Sequence, residues 1–230
     1  MLRKALLETK ILARLAVAFL FYLFPVLLFA KIATEFPERS TTQADTAMLE
    51  WLHRFASPAL DQLAVLITNC GGPAGVVVLT TVSVATLFLL RHRRPAIILL
   101  LGVGGAALIN TILKLSFQRA RPDLWVTVVK ETSFSFPSGH AMISAALAFS
   151  VMYILWYTRW RWWAVGLGLL YTFTIGLSRL YLGVHYPTDV LAGWAVGFAW
   201  VVIVRAVLRQ SRQWRHKNQL TGKEKTPRTV

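Results

Sequence analysis

Two histidines in this chain stand where apolar runs begin, and the residues around each suit the handling of phosphate. His140 closes the stretch Pro137-Ser138-Gly139-His140, just ahead of an apolar run that continues to Tyr157. A helix beginning there presents unpaired backbone N–H groups and the positive end of its dipole, which hold an anion without a metal. Ser138 suits the N-cap of such a helix, and Gly139 lets a ligand approach the backbone closely. His185 precedes Asp189 by four positions. If helical geometry reaches back to His185, the two share a face. The carboxylate can then hold one ring nitrogen as N–H while the other is free to attack phosphorus. His140, opening a different helix, can protonate the leaving oxygen, which asks for a charged His140 and a neutral His185.

Cations complete the set. Lys114 and Arg121 lie seven apart, and Pro122 ends any helix at or before Arg121, so both converge on one rim. Ser178-Arg179 falls at the outer end of the apolar run that precedes His185. Three cations and a helix start can surround the oxygens of a phosphoryl group during in-line transfer. Taken singly, Lys114 and Arg121 read as side chains reaching for lipid headgroups, and Arg119, off their spacing, keeps that reading. His53, beside Arg54, reads as a surface residue, and His92, inside Arg91-His92-Arg93-Arg94, as a headgroup contact. The segment 122–136 reads as a lid or connector, and its Asp123, Lys130 and Glu131 lack a metal-ligand spacing.

The elements that position these groups belong to a membrane protein. Hydrophobic residues make up 56% of the 230, above the share in ordinary globular chains. Lys and Arg outnumber Asp and Glu by 25 to 10, yet the basic clusters border apolar runs, which points to cytoplasmic loops and away from nucleic acid. A single cysteine, Cys70, excludes an internal disulfide and a cysteine-based zinc site.

Apolar runs at 15–33, 75–90, 95–117, 138–157, 164–183 and 187–207 predict six transmembrane helices in one all-α bundle. The first run exceeds the apolar region of a usual signal peptide, so it reads as a retained span. Arg3, Lys4, Lys10 and Arg14 set the N-terminus inside; Arg91 to Arg94, Arg159 with Arg161, and Arg205 onward mark the same side. Both termini are then cytoplasmic. Every candidate site residue falls on the opposite, outer rim. Between the first two spans, Met48, Leu49, Leu52 and Phe55 recur at helical spacing, as in one or two amphipathic helices on the outer surface. Residues 1–217 read as one domain, and 218–230 as a basic, disordered cytoplasmic tail.

Three blocks, Lys114 with Arg121-Pro122, Pro137-Ser138-Gly139-His140, and Ser178-Arg179 with His185 and Asp189, together resemble the signature of the type 2 phosphatidic acid phosphatase superfamily. Six residues separate Lys114 from Arg121, five separate Arg179 from His185, and three separate His185 from Asp189, as that signature requires. The resemblance implies a metal-independent phosphatase with no cofactor, in which His185 is the nucleophile, Asp189 its partner and His140 the acid. It implies that Lys114, Arg121, Ser138, Gly139 and Arg179 bind phosphate. The implied substrate is a membrane lipid phosphate entering sideways from the bilayer: undecaprenyl pyrophosphate, phosphatidylglycerol phosphate, phosphatidic acid or a lipid A phosphate. The compactness of the chain points to a bacterial inner membrane, and the basic loops put the site on the face toward the periplasm or exterior. A lipid phosphotransferase is the competing enzyme reading, and a non-catalytic lipid-binding or transport bundle is the competing reading from another class. Simple binding has no need of the His185 and Asp189 pair opposite a second histidine.

Overall fold

Proline and glycine open several of the helices, which begin at Pro58, Pro73, Gly139 and Pro187. The computed structural model describes residues 12, 15–35 and 39–224, leaving aside the side chains of 39–41 and 211–224. The basic flank Arg3, Lys4, Lys10 and Arg14 lies outside the described residues. Helix α1 is Leu15–Glu35, with a π-helical turn at Phe19–Leu23. Then follow α2, Arg39–His53; α3, Pro58–Gly71; and α4, Pro73–Leu89. The bundle is completed by α5, Arg93–Phe117; α6, Gly139–Leu155; α7, Arg161–Tyr181; and α8, Pro187–Glu224. Pro58 and Pro73 each sit in a first turn, where their missing N–H has no intrahelical partner to lose. Ser57 caps α3 by accepting the Leu60 N–H. No strand occurs among the described residues.

Helix α6 is the centre, packed against α5, α7 and α8. Its buried residues, among them Ala141, Met142, Ser144, Ala145, Leu147, Ala148 and Ser150, point in all directions, the pattern of a helix with no solvent face. Helix α8 comes close because Gly193 and Gly197 face it. A Cβ at Gly193 would stand 2.8 Å from Ser138 O, and one at Gly197 only 2.4 Å from Met142 O. That contact brings the first turn of α8 beside the first turn of α6, where Ser138 N–H donates to Asp189 O at 3.0 Å.

The six expected spans are only partly matched. Helices α1, α5, α7 and the 187–210 part of α8 are long and apolar enough to cross a membrane, and α3 with α4 make a fifth if that pair, bent by 46°, counts as one. Helix α6 has 17 residues, which at 1.5 Å each reach about 26 Å, short of the roughly 30 Å hydrocarbon layer. The expected span is longer by Ser138 at its start and by Trp156-Tyr157 at its end, which the fold leaves outside the helix. Two helices do occupy the segment expected on the outer surface. The second of them, α3, is tied to α7: Tyr181 Oη donates to Asp61 Oδ1 at 2.8 Å and accepts the Ser57 N–H at 3.2 Å. Helix α8 passes its expected end near Val207 and continues to Glu224, so the first part of the tail expected to be disordered is helical. Residues 225–230 lie outside the described set.

Candidate active site

The turn joining α7 to α8 decides where His185 and Asp189 meet. Gly183 adopts φ +68°, a left-handed conformation open to glycine, with the Trp125 ring where a Cβ would go. Tyr186 then caps α8. Pro187 takes the first helical position, and Asp189 reaches back so that its Oδ2 accepts the Tyr186 N–H at 2.9 Å. His185 therefore precedes the helix, and the face-sharing expected of a helical pair is replaced by a capping turn.

The pair forms all the same, with both side chains buried. His185 Nδ1 lies 3.4 Å from Asp189 Oδ2 and 3.3 Å from Ser135 Oγ, which itself donates to Asp189 Oδ2 at 2.5 Å. On the opposite edge of the ring, Arg121 Nη1 is 3.2 Å from Nε2. A guanidinium can only donate, so Nε2 carries the lone pair and the proton belongs on Nδ1, toward the carboxylate. Burial, then the charges of Arg179, Arg121 and Lys114, hold His185 well below its ordinary value of 6.5. Both effects favour the neutral ring.

The cations gather on the Nε2 side. Lys114, at the end of α5, donates to Ser133 Oγ at 2.8 Å and Phe134 O at 2.6 Å. Arg121 donates to Ser133 O and Val184 O, each at 2.7 Å. Arg179, at the end of α7, donates from Nη1 to Thr68 Oγ1 at 2.8 Å. A carboxylate lies between the two guanidiniums: Glu131 Oε1 pairs with Arg179 Nη2, and Oε2 is 3.4 Å from Arg121 Nη2. Burial raises the Glu131 carboxyl, but the charge and hydrogen bond of Arg179 and the charge of Arg121 outweigh it and hold the group below its ordinary value. Glu131 thus stands where two arginines would receive an anion.

Ser138 occupies the N-cap of α6 without a side-chain cap bond. Its Oγ and Arg179 Nε are buried and lack hydrogen-bond partners, so two polar groups expected at a phosphate site still have a bond to make. Gly139 is required by a close neighbour, since a Cβ there would stand 2.9 Å from Asn110 Oδ1. Asn110 Nδ2 in turn donates to Pro137 O at 3.1 Å and fixes the start of α6 to α5. His140 has its space from the glycine joining α3 and α4: a Cβ on Gly72 would lie 3.3 Å from His140 Nε2.

Lys114, Arg121, Glu131, Gly139, His140 and His185 line one end of a cleft of about 700 Å³, whose other end runs between α4 and α5 past Val76, Val77, Leu100, Val103 and Ala107. A second cavity of about 790 Å³, between α1, α6, α7 and α8, is lined almost wholly by apolar side chains and holds none of these charged groups. Candidate site residues line the first. Ser138, Arg179 and Asp189 adjoin it through the bonds just described, so the eight residues singled out in the sequence are brought together.

Four further residues escaped sequence reasoning. Glu131 and Ser135 sit in the irregular connector 118–138, which has no period to read. Arg119 pairs with Asp189 Oδ1 at 2.6 Å instead of reaching for headgroups. Its partner Asp45 left a signal: it extends the stripe of Met48, Leu49 and Leu52 on α2, and a carboxylate on an apolar stripe needs a buried partner.

The family profile described as the PAP2 superfamily matches residues 95–213. Phosphatidylglycerophosphatase B of Bacillus subtilis is 30% identical over 201 residues, spanning 85% of this chain and 97% of the relative. Undecaprenyl-diphosphatase of Sulfolobus acidocaldarius is 33% identical over 125 residues, 52% of this chain and 58% of that one. Among solved structures, the transmembrane PAP2-type phosphatidylglycerolphosphate phosphatase from Bacillus subtilis superposes with a TM-score of 0.75 at 28% identity, covering 81% of this chain and 96% of its own.

Proposed function

This chain belongs to the PAP2 superfamily, and from that premise we propose that it is a metal-independent membrane phosphatase that hydrolyses a lipid phosphate through a phosphohistidine, without a cofactor. The observation that carries this reading is the cleft itself, which joins two histidines, Lys114 and Arg121 to an apolar trough between α4 and α5. An amphiphile with a phosphate at one end and hydrocarbon at the other fits that division.

The incoming phosphate displaces the Glu131 carboxylate and is held by Lys114, Arg121, Arg179, Ser138 and the backbone at Gly139. His185 Nε2 attacks phosphorus while Nδ1 keeps its proton against Asp189, and His140 gives a proton to the departing lipid oxygen. Water then attacks the phosphohistidine with His140 taking its proton, which releases inorganic phosphate and restores Nε2. A glycerophospholipid phosphate is the favoured substrate class, because the similarity to phosphatidylglycerophosphatase B extends over 85% of this chain. A prenyl diphosphate is the second reading, motivated by the undecaprenyl-diphosphatase match over 52%.

In the same reading α6 completes six spans, both termini are cytoplasmic, residues 1–217 form the enzyme domain with 218–230 as its tail, and the site faces the outer side of a bacterial inner membrane. The positive-inside rule supports that orientation: Arg91, Arg93, Arg94, Arg159 and Arg161 are exposed at the end of the bundle opposite the cleft. The test is release of inorganic phosphate by purified protein from phosphatidylglycerol phosphate, phosphatidic acid and undecaprenyl pyrophosphate side by side in EDTA. Turnover of at least one is expected, with His185→Ala inactive on all. A strict metal requirement, or phosphate passed to a second lipid with none released, defeats the reading.

A further inference from the structure

Asp189 has a second set of partners on the side away from His185, and the reaction just described does not call on them. Arg119 Nη1 donates to Asp189 Oδ1 at 2.6 Å, and Nη2 donates to Asp45 Oδ2 at 2.9 Å. Asp45 also accepts the Thr188 N–H at 3.1 Å and the Thr188 hydroxyl at 2.5 Å, and that hydroxyl accepts from Arg119 Nη1 at 2.8 Å. The guanidinium lies over the Tyr186 ring, 4.1 Å from its centroid. All three charged groups are buried: Arg119 is 8% exposed, Asp45 3% and Asp189 0%.

The cluster holds two carboxylates and one guanidinium, so one negative charge is left over beside the imidazole. That surplus matters during phosphoryl transfer. When Nε2 bonds to phosphorus and Nδ1 keeps its proton, the ring becomes cationic, and the facing carboxylate must match it. An arginine paired with Asp189 alone would cancel that field; a second carboxylate on the far side of the arginine restores it.

We propose that Arg119 and Asp45 are positioning residues for this reaction. Arg119 fixes Asp189 by its outer oxygen, so that Oδ2 stays aimed at Ser135, the Tyr186 N–H and His185. Asp45, delivered by the surface helix α2, neutralises Arg119 and leaves the charge of Asp189 available to the ring. The inference rests on His185 being the nucleophile.

Two substitutions pull the imidazole in opposite directions, which mere loosening of the fold does not do. Asp45→Asn leaves the Arg119 cation uncompensated and moves the acid limb of the kcat/KM profile to lower pH. Arg119→Gln leaves the Asp45 carboxylate uncompensated and moves that limb to higher pH, each by about one pH unit. Lys114 from α5, Arg121 and Glu131 from the connector, His140 from α6, Arg179 from α7 and Asp189 from α8 also face the His185 side of the cleft, and they are unchanged in both variants.

The experiment is the pH dependence of kcat/KM for full-length protein on a lipid phosphate that the wild type turns over. Phosphohistidine is trapped in parallel by alkaline quench of labelled substrate. Expected are opposite limb shifts, a kcat and a phosphohistidine yield each lowered about tenfold, and unchanged inhibition by inorganic vanadate, which reads the Nε2 side only. The double variant, which removes both charges and is the safer fold, should bring the limb back toward its wild-type position. Shifts of one sign, no shift, a double variant displaced further than either single, or a loss that appears as weaker vanadate inhibition overturns the inference. A wild type that releases no phosphate from any lipid sinks the functional reading and this one with it, whereas turnover without the opposite shifts sinks this one alone.

Discussion

Arginines gather at both ends of the bundle, and the two gatherings differ in what surrounds them. At one end Arg91, Arg93, Arg94, Arg159 and Arg161 are exposed, and the last two lie 5.0 and 5.4 Å over the rings of Trp160 and Trp162. That is the dress of a membrane interface, where a cation needs water, headgroups and an aromatic neighbour. At the other end Arg119 and Arg179 are buried, Arg121 is half-buried, and each is held by carboxylates: Asp45 and Asp189 for Arg119, Glu131 for Arg121 and Arg179. The acids make the difference. The chain has only 10 acidic residues against 25 basic ones, and three of the ten serve these arginines. A basic residue by itself reports which way the chain crosses the membrane; a basic residue with a buried acid reports chemistry.

The sharpest break of that comparison is to remove one arginine from each end. Arg179→Ala should lower kcat/KM by about 10²- to 10³-fold, the cost typical of a donor lost from charge developing in a transition state. Arg94→Ala should change it by less than about twofold, the range of an exposed charge far from the reacting atoms. Steady-state rates on one lipid phosphate decide it. Comparable losses at the two ends would erase the functional distinction between them.

Much of this arrangement was legible because it is periodic or tied to punctuation. Pro122, Pro137 and Pro187 mark breaks that the helices respect, and the residues beside those prolines are the ones the fold gathers. What was not legible depends on tertiary contact. Arg119 and Arg121 are two apart in irregular chain, so they turn to opposite sides of Asp189 and His185, and spacing counted in helical turns picks out Arg121 but leaves Arg119 among the headgroup contacts. Glu131 is drawn in by two arginines from other elements. Helix α6 is shorter than its apolar run because such a run measures burial as readily as it measures membrane: a helix enclosed by α5, α7 and α8 is apolar for either reason. The α8 capping turn is a subtler case, since the four-residue spacing of His185 and Asp189 led to the right contact through the wrong geometry.

The electrostatic side of the comparison appears in a pH profile. Burial and the nearby cations hold His185 well below 6.5. In the proposed mechanism His185 is the nucleophile, and by staying neutral it should keep kcat/KM on its plateau as pH falls through 6.5, where an ordinary histidine is half-protonated. For stability the sign is the same. With the folded value below the unfolded one, the unfolded chain binds a proton that the folded chain refuses, so this contribution is complete above about pH 6.5 and is lost as pH falls toward the lowered folded value. Thermal unfolding in detergent at a series of pH values should therefore show the wild type losing more stability over that interval than His185→Gln. A kcat/KM limb centred at 6.5 or above would mean that the site's cations do not govern the ring.

The smallest effect tests the acid instead of the base. Glu131 lies between Arg121 and Arg179, where the proposed mechanism puts the substrate phosphate, so its charge both collects the two guanidiniums and competes with that ligand for them. Competition and collection predict opposite signs. If competition dominates, Glu131→Gln tightens inhibition by inorganic vanadate by about three- to tenfold, roughly the free energy of one partly exposed charged hydrogen bond. If collection dominates, the same substitution weakens it, because the arginines no longer converge. The geometry favours competition: Arg179 also donates to Thr68, and Arg121 to Ser133, Val184 and His185, so neither guanidinium depends on Glu131 for its place. Weaker vanadate inhibition in Glu131→Gln would recast that carboxylate as part of the frame, leaving the buried end with acids that only organise and none that must step aside.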